Sequence, residues 1–151
     1  MITNTPHRVS RTTAAAVIMI VTAFFLTACG GPSDKDLENT AVAYWQAIDR
    51  GDNAKRCDLS IDGQGDKRKR CMTAESLPAA NADAQPPTPE RVVDWGDGGK
   101  AVVLTAHLKA NSTPQPAVIG LTQVGDRWLV AKWGWIKGDP NKDDAVTGAL
   151  S

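Results

Sequence analysis

No catalytic motif groups the side chains of this 151-residue sequence that could carry out acid–base or nucleophilic chemistry. The sequence has no G-x-S-x-G, no P-loop and no metal-ligand cluster, which argues against a hydrolase, a nucleotide-binding protein or a metalloprotein. His107 is the obvious candidate for a general base. It alternates with Leu104, Ala106 and Leu108 along a predicted strand, so it should point away from the apolar face. We therefore predict no catalytic residue, no metal and no cofactor.

The N-terminal segment is organised like a secretory signal. A basic stretch without acidic residues precedes an apolar run of 13 residues from Ala14 to Leu26, which is shorter than the roughly 20 residues of a membrane-spanning helix. The apolar run ends in Leu26-Thr27-Ala28-Cys29, and Gly30-Gly31-Pro32 follows. This arrangement resembles the lipobox of bacterial lipoproteins. The basic stretch consists of His7, Arg8 and Arg11.

The lipobox resemblance implies that Cys29 carries a diacylglyceryl group and becomes the first mature residue. Residues 1–28 are then a signal peptide, and residues 29–32 are a lipidated cysteine with a short tether. Two acyl chains are enough for stable anchoring, which places the protein on the extracytoplasmic face of the cell membrane. The alternatives are an uncleaved anchor helix from about Thr12 to Cys29, or cleavage without lipidation.

The two remaining cysteines are expected to form a structural disulfide. With Cys29 assigned to lipid, Cys57 and Cys71 are an even pair in an oxidising compartment. A metal site would need more ligands, and a redox-active pair would more typically have C-x-x-C spacing. In the chain-entropy model, closing this loop of about 15 residues contributes roughly 3 kcal/mol to stability.

The charge of the chain gives no indication of a nucleic-acid partner. Removing residues 1–28 from 151 leaves 123 residues, enough for one domain, with 15 of the 17 basic and all 17 acidic residues. The strongest charge run is Lys67-Arg68-Lys69-Arg70, close to Asp58, Asp62 and Asp66. It is read as a solvated loop, with contact to anionic lipid headgroups as the alternative.

The mature sequence begins with helical patterns. Ser33 is a suitable N-cap, and apolar residues recur at helical spacing from Leu37 to Ile48 before Gly51 ends the pattern. A second short helix is predicted from Asn53 to Leu59 and a third from Cys71 to Leu77. The residues between them, 62–70, are expected to form a loop.

Four strands are predicted after Glu90, with short turns between them. They cover Arg91–Trp95, Lys100–Ala110, Ala117–Val124 and Arg127–Ile136, and such spacing indicates an antiparallel meander. Helices followed by this sheet define an α+β fold with a curved sheet of about four strands. Residues 137–151 are polar and are expected to be a flexible tail.

The passages Tyr44-Trp45-Gln46-Ala47-Ile48-Asp49-Arg50-Gly51-Asp52 and Val124-Gly125-Asp126-Arg127-Trp128-Leu129-Val130 resemble the nuclear transport factor 2-like (SnoaL-like) superfamily. More narrowly, the chain resembles small actinobacterial lipoproteins that carry such a domain, here residues 33–136. The resemblance implies a cystatin-like cone, in which a bent sheet wraps around a long first helix and leaves a pocket between them.

The interior of that cone is the predicted binding pocket for an apolar ligand, although most of its tryptophans are expected to be ordinary core residues instead. Strand alternation places Leu129, Ala131, Trp133 and Trp135 on one face, and Trp128 on the other. The pocket residues predicted are Tyr44, Trp45, Trp95, Leu104, Leu129, Trp133 and Trp135.

Three functions follow from these expectations. The first is a non-enzymatic, membrane-anchored binding or accessory module for a small apolar ligand or a cell-envelope protein. The second comes from the resemblance, because some superfamily members are isomerases or cyclases that combine a tyrosine donor with a carboxylate; Tyr44 and Asp94 are the counterparts here. The third is an interaction protein, including a homodimer, whose exposed sheet face carries Trp128 and His107.

Overall fold

The computed structural model describes residues 33–74, 85–107 and 113–151. The predicted signal peptide (residues 1–28), the lipid site Cys29 and the tether therefore lie outside the described residues. The same is true of Leu77, at the end of the predicted third helix, and of Leu108.

The first helix, α1, spans Asp34–Asp49 and begins at the predicted N-cap, Ser33. Ser33 and Asp36 form a capping box: the Asp36 amide donates to the Ser33 hydroxyl, and the Ser33 amide donates to the Asp36 carboxylate over 2.9 Å. The chain leaves the helix through Gly51, whose φ of 65° is readily adopted only by glycine. The predicted first helix is confirmed at both ends.

Two shorter helices follow and are joined by a disulfide. Helix α2 spans Asn53–Asp58, two short 3₁₀ turns cover Ile61–Gly63 and Gly65–Lys67, and helix α3 spans Arg68–Thr73. Cys57 and Cys71 are bonded with their Cα atoms 5.9 Å apart, as predicted. The predicted loop at 62–70 is wrong, because α3 begins three residues before Cys71 and includes most of the basic run.

The four strands form one open antiparallel sheet in the order β1-β2-β3-β4. The predicted α+β fold and meander are confirmed. The tight turn at Gly125 has a φ of 64°, which explains the glycine between the last two strands. The strands are β1 Thr88–Trp95, β2 Gly99–Ala106, β3 Gln115–Val124 and β4 Arg127–Trp135.

The main core lies between α1 and one face of the sheet, which we call the inner face. Apolar residues of α1 at helical spacing pack on alternate residues of the central strands, as the two periodicities require. The helix contributes Leu37, Ala41, Tyr44, Trp45 and Ile48, and the central strands contribute Val102, Leu104, Ala106, Ala117, Ile119 and Leu121.

A bulge in β4 changes which of its residues face this core. Gly120 pairs with Lys132 and Leu121 with Val130, so Ala131 is an extra residue that reverses the alternation. Trp128 therefore packs against the inner cluster. The predictions that Trp128 faces away and that Leu129 shares the inner face with Trp133 and Trp135 are both wrong.

The opposite, outer face of the sheet is covered by a fourth helix, α4, which spans Asp143–Ala149. Val146 and Leu150 are each 2% exposed and pack in a second cluster with Val103 and Val118. The prediction of a flexible polar tail at 137–151 is wrong, since these two apolar residues four positions apart are enough to form a short buried stripe. The helix also covers part of the sheet face predicted to be exposed.

Candidate functional site

Most of the predicted pocket residues form the solid core. Trp45 is 3% exposed, Leu104 0% and Leu129 2%. The Trp45 ring meets those of Trp133 and Trp135 edge-on, with centroids 5.6 and 5.1 Å apart, an arrangement that fills the space between α1 and β4. The aromatic residues expected to enclose an apolar ligand are packed against one another.

Trp95 lies on the wrong side of the sheet for the predicted pocket. Its ring packs with the outer cluster beside Val93 and directly over Gly120, where an added Cβ would lie 2.8 Å from it. Trp95 is the last residue of β1 and belongs to the outer cluster, not to the core between α1 and the sheet. Trp135 packs on the inner cluster and also borders a groove at α4.

The structure does bring two predicted residues, Tyr44 and Trp133, to a surface cleft of about 620 Å³. We call this the Tyr44 cleft. It lies between α3 and β4, at the edge of the core rather than inside it. Its lining comprises Tyr44, Arg56, Ser60, Asp62, Lys67, Arg70, Cys71, Ala74, Val130, Ala131, Lys132 and Trp133.

Backbone contacts hold the two walls of the Tyr44 cleft together. Ser60 forms a parallel bridge with Val130, and the Val130 amide donates to the Leu59 carbonyl over 2.8 Å. A further bond joins the Arg127 guanidinium to the Asp58 carbonyl over 3.1 Å. Together with the Cys57–Cys71 disulfide, these contacts fix the helical wall relative to β4.

The charge of the Tyr44 cleft is strongly positive. Its lining has four cations (Arg56, Lys67, Arg70 and Lys132) and one carboxylate, Asp62. Lys67 approaches Asp62 only to 3.9 Å, with side chains 65% and 71% exposed. Such a long, exposed pair neutralises little of the field.

Arg56 is the most enclosed of these cations. One of its terminal nitrogens donates to the Cys71 carbonyl over 3.4 Å, and its Nε is buried without a hydrogen-bond partner among the described residues. A buried guanidinium N–H without a partner is uncommon and costly. Arg68, by contrast, pairs with Asp58 and does not line the cleft.

Tyr44 presents a neutral hydroxyl to this site. Burial raises the pKa of Tyr44 above its ordinary value of 10.0; the nearby Arg56 opposes this shift and Asp62 adds to it. The hydroxyl is therefore protonated at physiological pH and can donate a hydrogen bond.

The proposed enzymatic pair is not assembled. The Asp94 side chain is 88% exposed and forms an ion pair with Lys100, its cross-strand partner, away from the Tyr44 cleft. That bond raises the pKa of Lys100. The pairing of Tyr44 with Asp94 is therefore wrong.

His107 is half-buried just beyond the end of β2 and does not line the cleft, so it contributes no base there.

The described residues contain neither a candidate metal site nor a candidate membrane-spanning helix. No cluster of histidine, cysteine or carboxylate side chains in residues 33–74, 85–107 and 113–151 could hold a metal ion. No helix in those same ranges is both long and apolar enough to cross a bilayer.

Reasoning from the sequence identified Tyr44 and Trp133 but missed the cations around them. The run Lys67–Arg70 indicated a positive charge, but the other two cations of the cleft, Arg56 and Lys132, lie on other elements and are distant in sequence. No protein-family model, curated protein or solved structure matches the chain.

Proposed function

We propose that this protein is a non-enzymatic binding module, anchored through Cys29 to the extracytoplasmic face of the cell membrane, with a nuclear transport factor 2-like cone as its folded part. Its ligand is a small amphipathic molecule, and the binding site is the Tyr44 cleft. The lipobox sequence supports the anchor, and the helix-on-sheet architecture is consistent with the cone.

One observation carries the binding proposal: the Tyr44 cleft combines an aromatic wall with polar and charged groups. Tyr44 and Trp133 offer apolar contact area, while the surrounding charges and the Tyr44 hydroxyl can orient a polar end. The exposed Asp62 is the one carboxylate of the cleft, so the described lining contains no buried carboxylate or histidine that could act as a general base.

Native mass spectrometry of the lipid-modified protein, extracted from its own membranes, tests this proposal. We expect a homogeneous small molecule to co-purify with the wild-type chain. The variant Ala74→Trp fills the mouth of the cleft and should lose the ligand, since Ala74 is an exposed lining residue.

The matched control is Met72→Trp, because Met72 is 40% exposed in α3, two residues before Ala74, and does not line the cleft. It should keep the ligand. A wild-type protein without any bound molecule, or equal retention by Ala74→Trp and Met72→Trp, would overturn the proposal and favour a protein partner instead.

A further inference from the structure

We infer that the Tyr44 cleft recognises a phosphate group at the polar end of an amphipathic ligand. This inference rests on the proposed function and specifies its ligand class. The four cations of the cleft come from separate elements: Arg56 from α2, Lys67 and Arg70 from the α3 region, and Lys132 from β4.

The number of cations favours phosphate over a single carboxylate. Four cations and one carboxylate leave a net lining charge of +3. A phosphate monoester carries roughly −1.5 to −2 at neutral pH and offers three acceptor oxygens, whereas a carboxylate would leave most of these donors unmatched. Guanidinium groups such as those of Arg56 and Arg70 match phosphate oxygens in a two-point geometry.

The bonding state of the lining supports the same assignment. Two donors of the cleft lining are Arg56, whose buried Nε has no hydrogen-bond partner among the described residues, and Tyr44, whose hydroxyl is neutral. The Arg56 guanidinium and the Tyr44 hydroxyl are both donors, and an anion in the cleft would supply acceptors. Trp133 supplies an apolar surface for the remainder of the ligand.

The basic run Lys67–Arg70 also contains a residue that controls for general attraction by surface charge. Lys67 and Arg70 line the cleft, whereas Lys69 lies between them on the chain and does not. Arg68 is paired with Asp58. Two substitutions with the same change of charge therefore separate recognition in the cleft from general attraction by the surface.

Calorimetric titration of the anchored wild-type protein, held in phosphatidylcholine nanodiscs, provides the test. The probes are 1-hexanol, hexyl phosphate and the soluble phospholipid dihexanoylphosphatidylglycerol. Hexyl phosphate should bind at least tenfold more tightly than hexanol, and its affinity should fall as salt screens the cations. Lys132→Gln and Arg70→Gln should each weaken hexyl phosphate about fivefold, while Lys69→Gln changes it less than twofold.

The outcomes separate this inference from the proposed function. Equal binding of hexanol and hexyl phosphate, or an equal loss in Lys69→Gln and Lys132→Gln, overturns phosphate recognition but leaves the binding module intact. No binding of any probe overturns both. Tighter binding of the phosphatidylglycerol than of hexyl phosphate supports recognition of a lipid headgroup, and the reverse order supports a soluble phosphate ester. The three cations that are changed are exposed, so thermal melting should confirm that each variant folds.

Discussion

At the residue scale, Gly63 illustrates how tightly the wall of the cleft is assembled. It lies against the last turn of α2, where an added Cβ would be 1.6 Å from the Cys57 carbonyl oxygen. Real side chains never approach a backbone oxygen so closely, so the Ile61–Gly63 turn would have to move. That movement would displace Asp62 and strain the neighbouring disulfide.

We therefore predict that Gly63→Ala destabilises the fold by about 2–4 kcal/mol, measured by urea unfolding. Gly148→Ala is the matched control, because nothing lies within 4 Å of its added Cβ and the residue is helical. The control should be neutral or stabilising by up to about 1 kcal/mol. Similar unfolding midpoints for the two variants would contradict this account of the contact.

Asp49 is a second residue whose environment can be tested, this time through pH. It ends α1 and is 7% exposed. Burial raises the pKa of Asp49 above its ordinary value of 3.8, against the opposing effects of the Trp45 indole and Arg50. Its carboxylate form is therefore less favourable in the folded chain than in the unfolded chain.

A raised folded-state pKa means that the folded protein binds the Asp49 proton more tightly than the unfolded protein does. This contribution to stability is fully present below pH 3.8 and is lost as pH rises through the folded-state pKa. We predict that Asp49→Asn melts at a higher temperature than wild type at pH 7, and that this advantage shrinks on acidification. Asp126→Asn, at an exposed turn, controls for the loss of charge; an advantage of Asp49→Asn that grew with acidification would contradict the sign.

At the scale of elements, the patterns that could be read from the sequence were the local ones. The α1 cap, the Gly51 stop and the Gly125 turn depend on neighbouring residues, so they were predictable. The β4 bulge was not predictable, because Ala131 is recognised as an extra residue only when the pairing of β4 with β3 is known. The cleft was missed for the same reason: Arg56 and Lys132 meet only in three dimensions.

Helix α4 was missed because its sequence is short and mostly polar, yet it covers the outer face of the sheet. It is held by Val146 and Leu150, and by Arg91, which binds Asp143 over 3.0 Å and the Pro140 carbonyl over 2.8 Å. Gly134 lets the C-terminal end of α4 pack closely on β4, since an added Cβ at Gly134 would lie 2.3 Å from the Ala149 carbonyl oxygen. The helix is thus an integral layer of the domain.

We predict that Leu150→Ala lowers the free energy of unfolding by about 2–3 kcal/mol, because Leu150 is 2% exposed. Amide exchange should accelerate throughout Asp143–Ala149. Thr147→Ala, on the exposed side of the same helix, should change stability by less than about 0.5 kcal/mol. An unchanged exchange rate in α4 after Leu150→Ala would mean that the helix does not depend on this contact.

At the scale of the whole molecule, the proposed anchor would keep the Tyr44 cleft near the bilayer. Residues 29–32 span at most about 14 Å when fully extended. Tyr44 lies 11 residues beyond Ser33, or roughly 16 Å along α1. The cleft would then remain within about 30 Å of the lipidated residue, close enough to meet molecules that leave or enter the membrane.

This arrangement depends on Cys29, so Cys29→Ser is the decisive substitution for the whole protein. We expect the wild-type chain in the membrane fraction, resistant to carbonate washing, with an intact mass that fits a diacylglyceryl group on residue 29. Cys29→Ser should lack that mass. Two acyl chains provide stable attachment that a single chain does not, so a detergent-partitioning assay should separate the lipidated protein from any unlipidated form. A wild-type chain that retains residues 1–28 would show an uncleaved anchor helix. A soluble, cleaved chain without lipid would show that the signal is purely secretory. Either result would overturn the lipid anchor.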